Sequence, residues 1–395
     1  MSRFLFVVPP LVGHVNPAAA VAAELTARGH EVAWAGRPGV LARVAGPDAR
    51  VFECAGPDSI DGRPAGLRGV AALKFLWEGF FAPLAEAMAP GVERAVETFR
   101  PDVVVADQQT VAGALVAERH GLPYATSATT SAEMTGSTAG IPKVGDWTAQ
   151  LLADLRQRIG DPAKTNDPRF SPLLTLAFST AELTGPCEEH GPVEFVGPAL
   201  GDRPHDPDFP WAWLDAAHSA DAAPDRPLVL VTMGTANTEA GARFLAECAA
   251  AVRERAGRVR AVVADPGGVL SESGSYEHVL VRPYVPVLAL LEHAAAVVCH
   301  AGHNTVAEAL WHGVPLVVAP IRDDQPVVAG QVTEAGAGVR VRFAHGNRER
   351  IGAALDAVLD EPRYRAAARR VGESFRAAGG APAAAKHLEE LTARC

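Results

Sequence analysis

Aromatic residues make up only 6% of this 395-residue chain, so a place where several gather is informative. Paired cysteines are missing as well: Cys54, Cys187, Cys248, Cys299 and Cys395 are scattered, odd in number and without metal-ligand spacing. That excludes a disulfide framework, makes a metal site unexpected and favours a reducing, cytoplasmic setting. Positive charge is short, with 36 Lys and Arg against 46 Asp and Glu, and no dense basic run offsets the net charge of −10. An electrostatic grip on nucleic acid is therefore not expected. No apolar run is long enough to span a membrane, and the N-terminus passes into a strand without a signal-cleavage pattern. Neither stable membrane insertion nor export is expected.

A further absence concerns the first turn. The strand at residues 4–8 meets Pro9-Pro10-Leu11-Val12-Gly13-His14, where a dinucleotide-binding opening would place Gly-x-Gly-x-x-Gly, and only Gly13 is there. The nicotinamide or flavin reading loses its main support, and no cofactor is expected. The turn does display His14, at the strand edge where open α/β sheets place ligands.

What is present is α/β alternation. With 48% hydrophobic residues the chain can bury sizeable cores, and its length suggests two domains. The opening strand, an Ala-rich helix stopped near Gly29 and a strand at residues 31–35 form a βαβ unit, hence a parallel sheet. A buried strand at residues 101–110 carries Asp107 at its end, as an acid facing the sheet edge or as an N-cap for a helix from Gln108. Between them Leu73, Leu76, Trp77, Phe80, Phe81, Leu84 and Met88 follow helical spacing and read mainly as a core helix, some of them as candidate walls of an apolar pocket. Another strand is expected near residues 122–126, with a Thr-, Ser- and Gly-rich loop at residues 127–145.

The Pro- and Asp-rich residues 201–227 read as a linker with a short helix near 209–217, and the Asp-x-Asp at Asp206 and Asp208 within it as coincidence. Strands follow at residues 228–232, 260–264 and 279–282, the first of them running into Met233-Gly234-Thr235. The densest polar grouping lies in residues 281–325. A short apolar strand there runs into Cys299-His300-Ala301-Gly302-His303-Asn304-Thr305 and a helix expected over 306–312. Amides at a helix start favour an anion, Gly302 permits close approach, and Asn304 and Thr305 add side-chain donors, which suits a diphosphate. One βα unit later, Asp324 and Gln325 close a buried strand with groups suited to sugar hydroxyls. Diphosphate beside polyol suggests a nucleotide sugar.

Tyr284-Val285-Pro286, the turn from His300 to Glu308 and the pair Asp324-Gln325 occur in the order of the donor motif of family-1 nucleotide-sugar glycosyltransferases, and the chain resembles that family. It departs from the pattern at Tyr284, where Trp is frequent, at Val287, where Gln is frequent, and at His303. The resemblance implies the GT-B architecture: two Rossmann-like doubly wound domains facing across a cleft, at residues 1–200 for the acceptor and 228–378 for the donor. A C-terminal helix at 379–395 would pack back on the first.

The resemblance also implies the site. His14 would be the general base and Asp107 its orienting carboxylate. Gly234, Thr235, His300, Gly302, Asn304 and Thr305 would hold the diphosphate, Glu308 the ribose, Tyr284 with Val285 the base, and Asp324 with Gln325 the sugar. Inverting, metal-independent transfer from a UDP- or dTDP-sugar co-substrate to a hydroxyl of a small hydrophobic acceptor, an antibiotic or other secondary-metabolite aglycone, is the implied reaction. A nucleotide-sugar epimerase and a non-catalytic nucleotide-sugar-binding activator are the alternatives. The oligomeric state is open, with a homodimer as one candidate.

Overall fold

The computed structural model describes residues 1–394 except 61, 65, 136–141, 188–190, 202–207, 216–225, 235–237 and 271–277. Thr235, Asp206 and most of the expected linker lie outside the described residues. The chain divides into two compact units, Met1–Asp202 with Ser374–Cys395, and Arg203–Glu373.

Unit 1 is built on seven strands: β1 (Arg3–Val7), β2 (Glu31–Gly36), β3 (Val51–Glu53), β4 (Val103–Asp107), β5 (Tyr124–Ala128), β6 (Thr175–Ala177) and β7 (Val193–Phe195). Their order is β3-β2-β1-β4-β5-β6-β7 and every pairing is parallel. Such a sheet is covered on both faces, which is why its strands read as continuous apolar runs. Leu5, Val7, Val104 and Ala106 pack against the helices Ala82–Phe99, Ala112–Arg119 and Pro142–Ile159. Phe4, Phe6, Val103 and Val105 face the opposite way, into a core shared with the helices Val12–Ala27 and Gly380–Arg394.

The C-terminal helix therefore contributes to unit 1: Ala384, Ala385 and Leu388 are buried against the helix that begins beside His14. Arg28 Nη1 donates to Glu389 Oε2 at 3.0 Å, and His30 Nε2 meets Glu389 Oε1 at 3.0 Å. The two units divide inside the helix Pro362–Ala378, ahead of the break at Gly379 (φ +93°). Gly197 sits so close to that segment that a Cβ there would lie 2.6 Å from the Phe375 carbonyl oxygen.

The aromatic cluster proves to be core. Trp77, Phe80, Phe81, Leu84 and Met88 are all buried together, and Leu73 packs at their edge. The helical run is not uniform: Gly69–Leu76 and Ala82–Phe99 are α-helical, joined by a π-helical stretch at Trp77–Phe81. Within that stretch the adjacent Phe80 and Phe81 are both buried in one cluster, their ring centroids 5.3 Å apart.

Unit 2 carries six parallel strands, β8 (Leu228–Thr232), β9 (Arg260–Ala264), β10 (Val279–Arg282), β11 (Ala294–Cys299), β12 (Leu316–Val318) and β13 (Gly338–Arg340). Their order is β10-β9-β8-β11-β12-β13. One face is covered by Phe244 and Cys248 of the helix Thr238–Arg253 and by Ile351 and Leu355 of the helix Arg348–Asp360. In each sheet the order of strand addition thus reverses once, at β1/β4 in unit 1 and at β8/β11 in unit 2, and open α/β sheets bind ligands beyond the strand ends at such points. In the described part of 209–217, the helix is Trp211–Asp215.

Candidate functional site

At the first switch point the chain leaves β1 through Pro9 and Pro10 and enters the helix Val12–Ala27, placing His14 in its first turn. The His14 amide bonds to the Leu11 carbonyl at 2.9 Å, the ordinary contact of a helix start. Its side chain does more. Nδ1 lies 2.9 Å from Oδ2 of Asp107, whose side chain is fully buried at the end of β4.

Asp107 faces the sheet edge and is not a helix N-cap, the helix Ala112–Arg119 being capped at Val111. Oδ1 accepts from the Gln109 amide at 2.9 Å, closing the turn after β4, while Oδ2 holds His14. The helix itself starts at Ala112 rather than Gln108, because the residues between form that turn first.

Sequence reasoning missed Thr129. Its hydroxyl lies 3.0 Å from Asp107 Oδ2 and 2.8 Å from His14 Nδ1, closing a three-membered arrangement. Asp107 is paired with Ser127 in the β4/β5 register, so Thr129 extends from the neighbouring strand just past the acid. The strand pairing was the missing information. Beyond it, Glu133 accepts from Gln109 Nε2 at 3.1 Å and from Arg169 Nη1 at 3.2 Å, tying the turn after β5 to the turn after β4. Burial pushes the Glu133 carboxyl up, against the pull of Arg169.

At the second switch point β11 ends at Cys299 and is followed by His300, Ala301 at φ +65° and Gly302 as the N-cap of the helix His303–Trp311. That helix starts earlier than the expected 306, since Gly302 in an extended conformation already caps it. Asn304 and Thr305 therefore lie in its first turn, where backbone amides lack an intrahelical acceptor. A non-glycine residue in the left-handed region costs about 1 kcal/mol, and such strain gathers at functional positions.

The His300 ring is enclosed by two glycines. A Cβ at Gly302 would come within 2.6 Å of Nε2, and one at Gly234, which follows β8 with φ +70°, within 2.7 Å of Cε1. The His300 Nδ1 has no hydrogen-bond partner among the described residues, and burial pushes the ring down to about 4. At neutral pH His300 is an uncharged imidazole. The expectation that it meets leaving-group charge thus narrows to donation of an N–H.

Glu308 is buried on the same helix, 4% exposed. Tyr284 is 73% exposed, beyond β10 and beside the half-buried Val285, so its ring is open to a flat partner. Asp324 precedes the helix Gln325–Glu334, after Asp323 at φ +61°. Gln325 is buried, and its Oε1 accepts from the amides of Ile321 at 2.9 Å and Arg322 at 3.1 Å. That carbonyl holds the loop, leaving the amide N–H groups as its polar face toward any ligand.

Residues 276–391 match the erythromycin biosynthesis protein CIII-like C-terminal domain. The 4'-demethylrebeccamycin synthase of Lentzea aerocolonigenes is 32% identical over 416 residues, covering 95% of this chain and 96% of the relative. The demethyllactenocin mycarosyltransferase of Streptomyces fradiae is 29% identical, covering 99% and 87%. Among solved structures, the kitacinnamycin glycotransferase superposes with a TM-score of 0.81 at 24% identity, over 99% of both chains. The calicheamicin glycosyltransferase CalG4 gives 0.78 at 24% identity, over 100% of this chain and 99% of its own. Among the described residues no helix is long and apolar enough to cross a membrane. By its fold, its two switch-point sites and these relatives, the chain belongs to the natural-product glycosyltransferases of the GT-B fold, enzymes that move a sugar from a nucleotide sugar to an aglycone.

Proposed function

We propose that the enzyme catalyses inverting, metal-independent transfer of a sugar from a UDP- or dTDP-sugar to a hydroxyl of a small hydrophobic aglycone, with no cofactor. The observation that carries this reading is the His14–Asp107 contact of 2.9 Å. A carboxylate on Nδ1 fixes the tautomer that leaves a lone pair on Nε2, and it stabilises the imidazolium formed when that nitrogen takes a proton. The acceptor hydroxyl gives its proton to His14 Nε2, and its oxygen forms a bond to the anomeric carbon. The bond from that carbon to the diphosphate oxygen breaks, and the nucleoside diphosphate leaves with the electron pair. A single displacement of this kind inverts the anomeric centre.

The departing charge falls to unit 2 in this reading: the helix start at Gly302 to Thr305, the His300 N–H and Thr235. Preorganised donors of that type can supply on the order of 3 kcal/mol each. Glu308 takes the ribose, Tyr284 and Val285 the base, and Asp324 and Gln325 the sugar. Support for a secondary-metabolite acceptor comes from relatives whose names concern demethylrebeccamycin and demethyllactenocin.

The test is turnover of UDP- and dTDP-sugars against a panel of aglycones, with and without EDTA, and assignment of the product anomer. Acceptor-dependent, chelator-resistant turnover with inverted configuration is expected. Retained configuration, loss of activity with EDTA that added metal restores, or donor conversion without an acceptor would each overturn part of it.

A further inference from the structure

Proton accounting around Asp107 points to a third participant. His14 Nδ1, Asp107 Oδ2 and Thr129 Oγ1 lie mutually 2.8 to 3.0 Å apart, and the Thr129 residue is 5% exposed. Three heavy atoms at those separations need two hydrogens to link them without opposing lone pairs. A carboxylate has none to give, so one must sit on His14 Nδ1 and the other on the Thr129 hydroxyl. The hydroxyl then donates to Asp107 Oδ2 while its oxygen accepts a share of the Nδ1 hydrogen. Any arrangement with Nδ1 bare would set its lone pair 2.9 Å from the carboxylate oxygen.

We infer that Thr129 is a positioning residue for His14: its hydroxyl is a second acceptor for the Nδ1 hydrogen, and so it fixes the tautomer and helps stabilise the imidazolium. The inference rests on the reading of His14 as the general base. The hydroxyl is held from both sides, since Thr129 follows β5 directly and the same turn is anchored through Glu133 to Gln109 and Arg169. The charged groups around the arrangement are Asp107 on β4, Glu133 in the turn after β5, and Arg169 with Asp167, which Arg169 Nη2 contacts at 2.7 Å. Thr129 Oγ1 touches Nδ1 at 2.8 Å, as close as Asp107 Oδ2 at 2.9 Å. An oxygen lone pair there favours the charged ring. Its loss therefore lowers the ring's affinity for a proton.

The experiment compares pH profiles of kcat/KM for the full chain with Thr129→Val, Thr129→Ser and Asp107→Asn. Thermal melts and nucleoside diphosphate titrations serve as folding controls. For Thr129→Val, kcat should fall about tenfold, the worth of one hydrogen bond to a charged group, with KM little changed. Its acid limb should move to lower pH, and Thr129→Ser should restore both. A limb that stays put or rises while Asp107→Asn lowers it would overturn the role of Thr129 alone. Profiles unchanged in both Thr129→Val and Asp107→Asn would overturn the base reading beneath it. Nitrogen-15 spectra of the His14 ring in the wild-type chain give a readout that needs no variant. A protonated Nδ1 with a bare Nε2 above the acid limb is expected, and the opposite tautomer would overturn the inference.

Discussion

The first six strands of unit 1 are ordered as the six of unit 2, and each unit places a histidine beyond a switch-point strand, yet the two rings live under opposite electrostatic conditions. His14 rests on the buried carboxylate of Asp107 and the hydroxyl of Thr129, a setting that favours a positive ring. His300 is enclosed by Gly234 and Gly302, desolvated and held neutral. The scaffold supplies the location, and the neighbouring side chains decide the chemistry. On the function proposed above, a carboxylate suits one histidine to accept a proton, and burial leaves the other neutral with an N–H to donate.

The comparison breaks most visibly if His14 is dispensable. In His14→Ala, kcat is expected to fall by about a thousandfold, within the usual range for loss of a general base. Nucleoside diphosphate affinity, measured by calorimetry, should change little. An affinity loss matching the rate loss would mean that unit 1 has no separate catalytic role.

The next effect is on stability and concerns His300. Its pKa in the folded chain is about 4, against 6.5 for the ordinary side chain, so below 6.5 the unfolded state binds the additional proton. The stability that depends on a neutral His300 is present in full above about 6.5 and is lost as pH falls toward 4. The loss is up to about 3 kcal/mol. Urea unfolding between pH 4.5 and 7.5 should show a wild-type slope that His300→Asn reduces. Parallel curves for the two proteins would remove the contrast between the histidines.

Gly302→Ala sharpens the same contrast. The added Cβ would lie 2.6 Å from His300 Nε2, so the ring or the helix start must shift. Donor affinity should drop roughly tenfold to a hundredfold, as when one charge-assisted contact is lost. The acid limb set by His14 should not move. The smallest effect is expected at Gln325. Replacement by Ala removes the acceptor for the Ile321 and Arg322 amides and should cost about 1–2 kcal/mol in urea unfolding, whereas Gln325→Glu keeps an acceptor and should cost less.

Much of this arrangement was legible in the sequence, for an identifiable reason. The strands β8, β9 and β10 fall at the residues expected from their apolar runs, since Val, Leu and Ala fill them apart from single polar residues at their ends, Thr232, Arg260 and Arg282. His14 and Asp107 stood out because each follows such a run. Their partnership could be expected only by resemblance, and the 2.9 Å contact now gives it a geometry. Thr129 stayed hidden because its importance depends on the β4/β5 register, which pairs residues far apart in the chain. The early start at His303 was missed because polar residues after a glycine read equally well as a turn or as a first helical turn. The neutrality of His300 was out of reach, since it requires Gly234 and Gly302, 68 positions apart, to close on the same ring.

The most direct test of the division of labour is a paired measurement on His14→Ala and His300→Ala: the nucleoside diphosphate dissociation constant by calorimetry, and the single-turnover rate at saturating donor. His14→Ala should bind the nucleotide like the wild type and turn over about a thousandfold more slowly. His300→Ala should bind it at least tenfold more weakly, for want of one hydrogen bond to the diphosphate. Equal losses of binding in the two variants, or none in either, would contradict that division of labour.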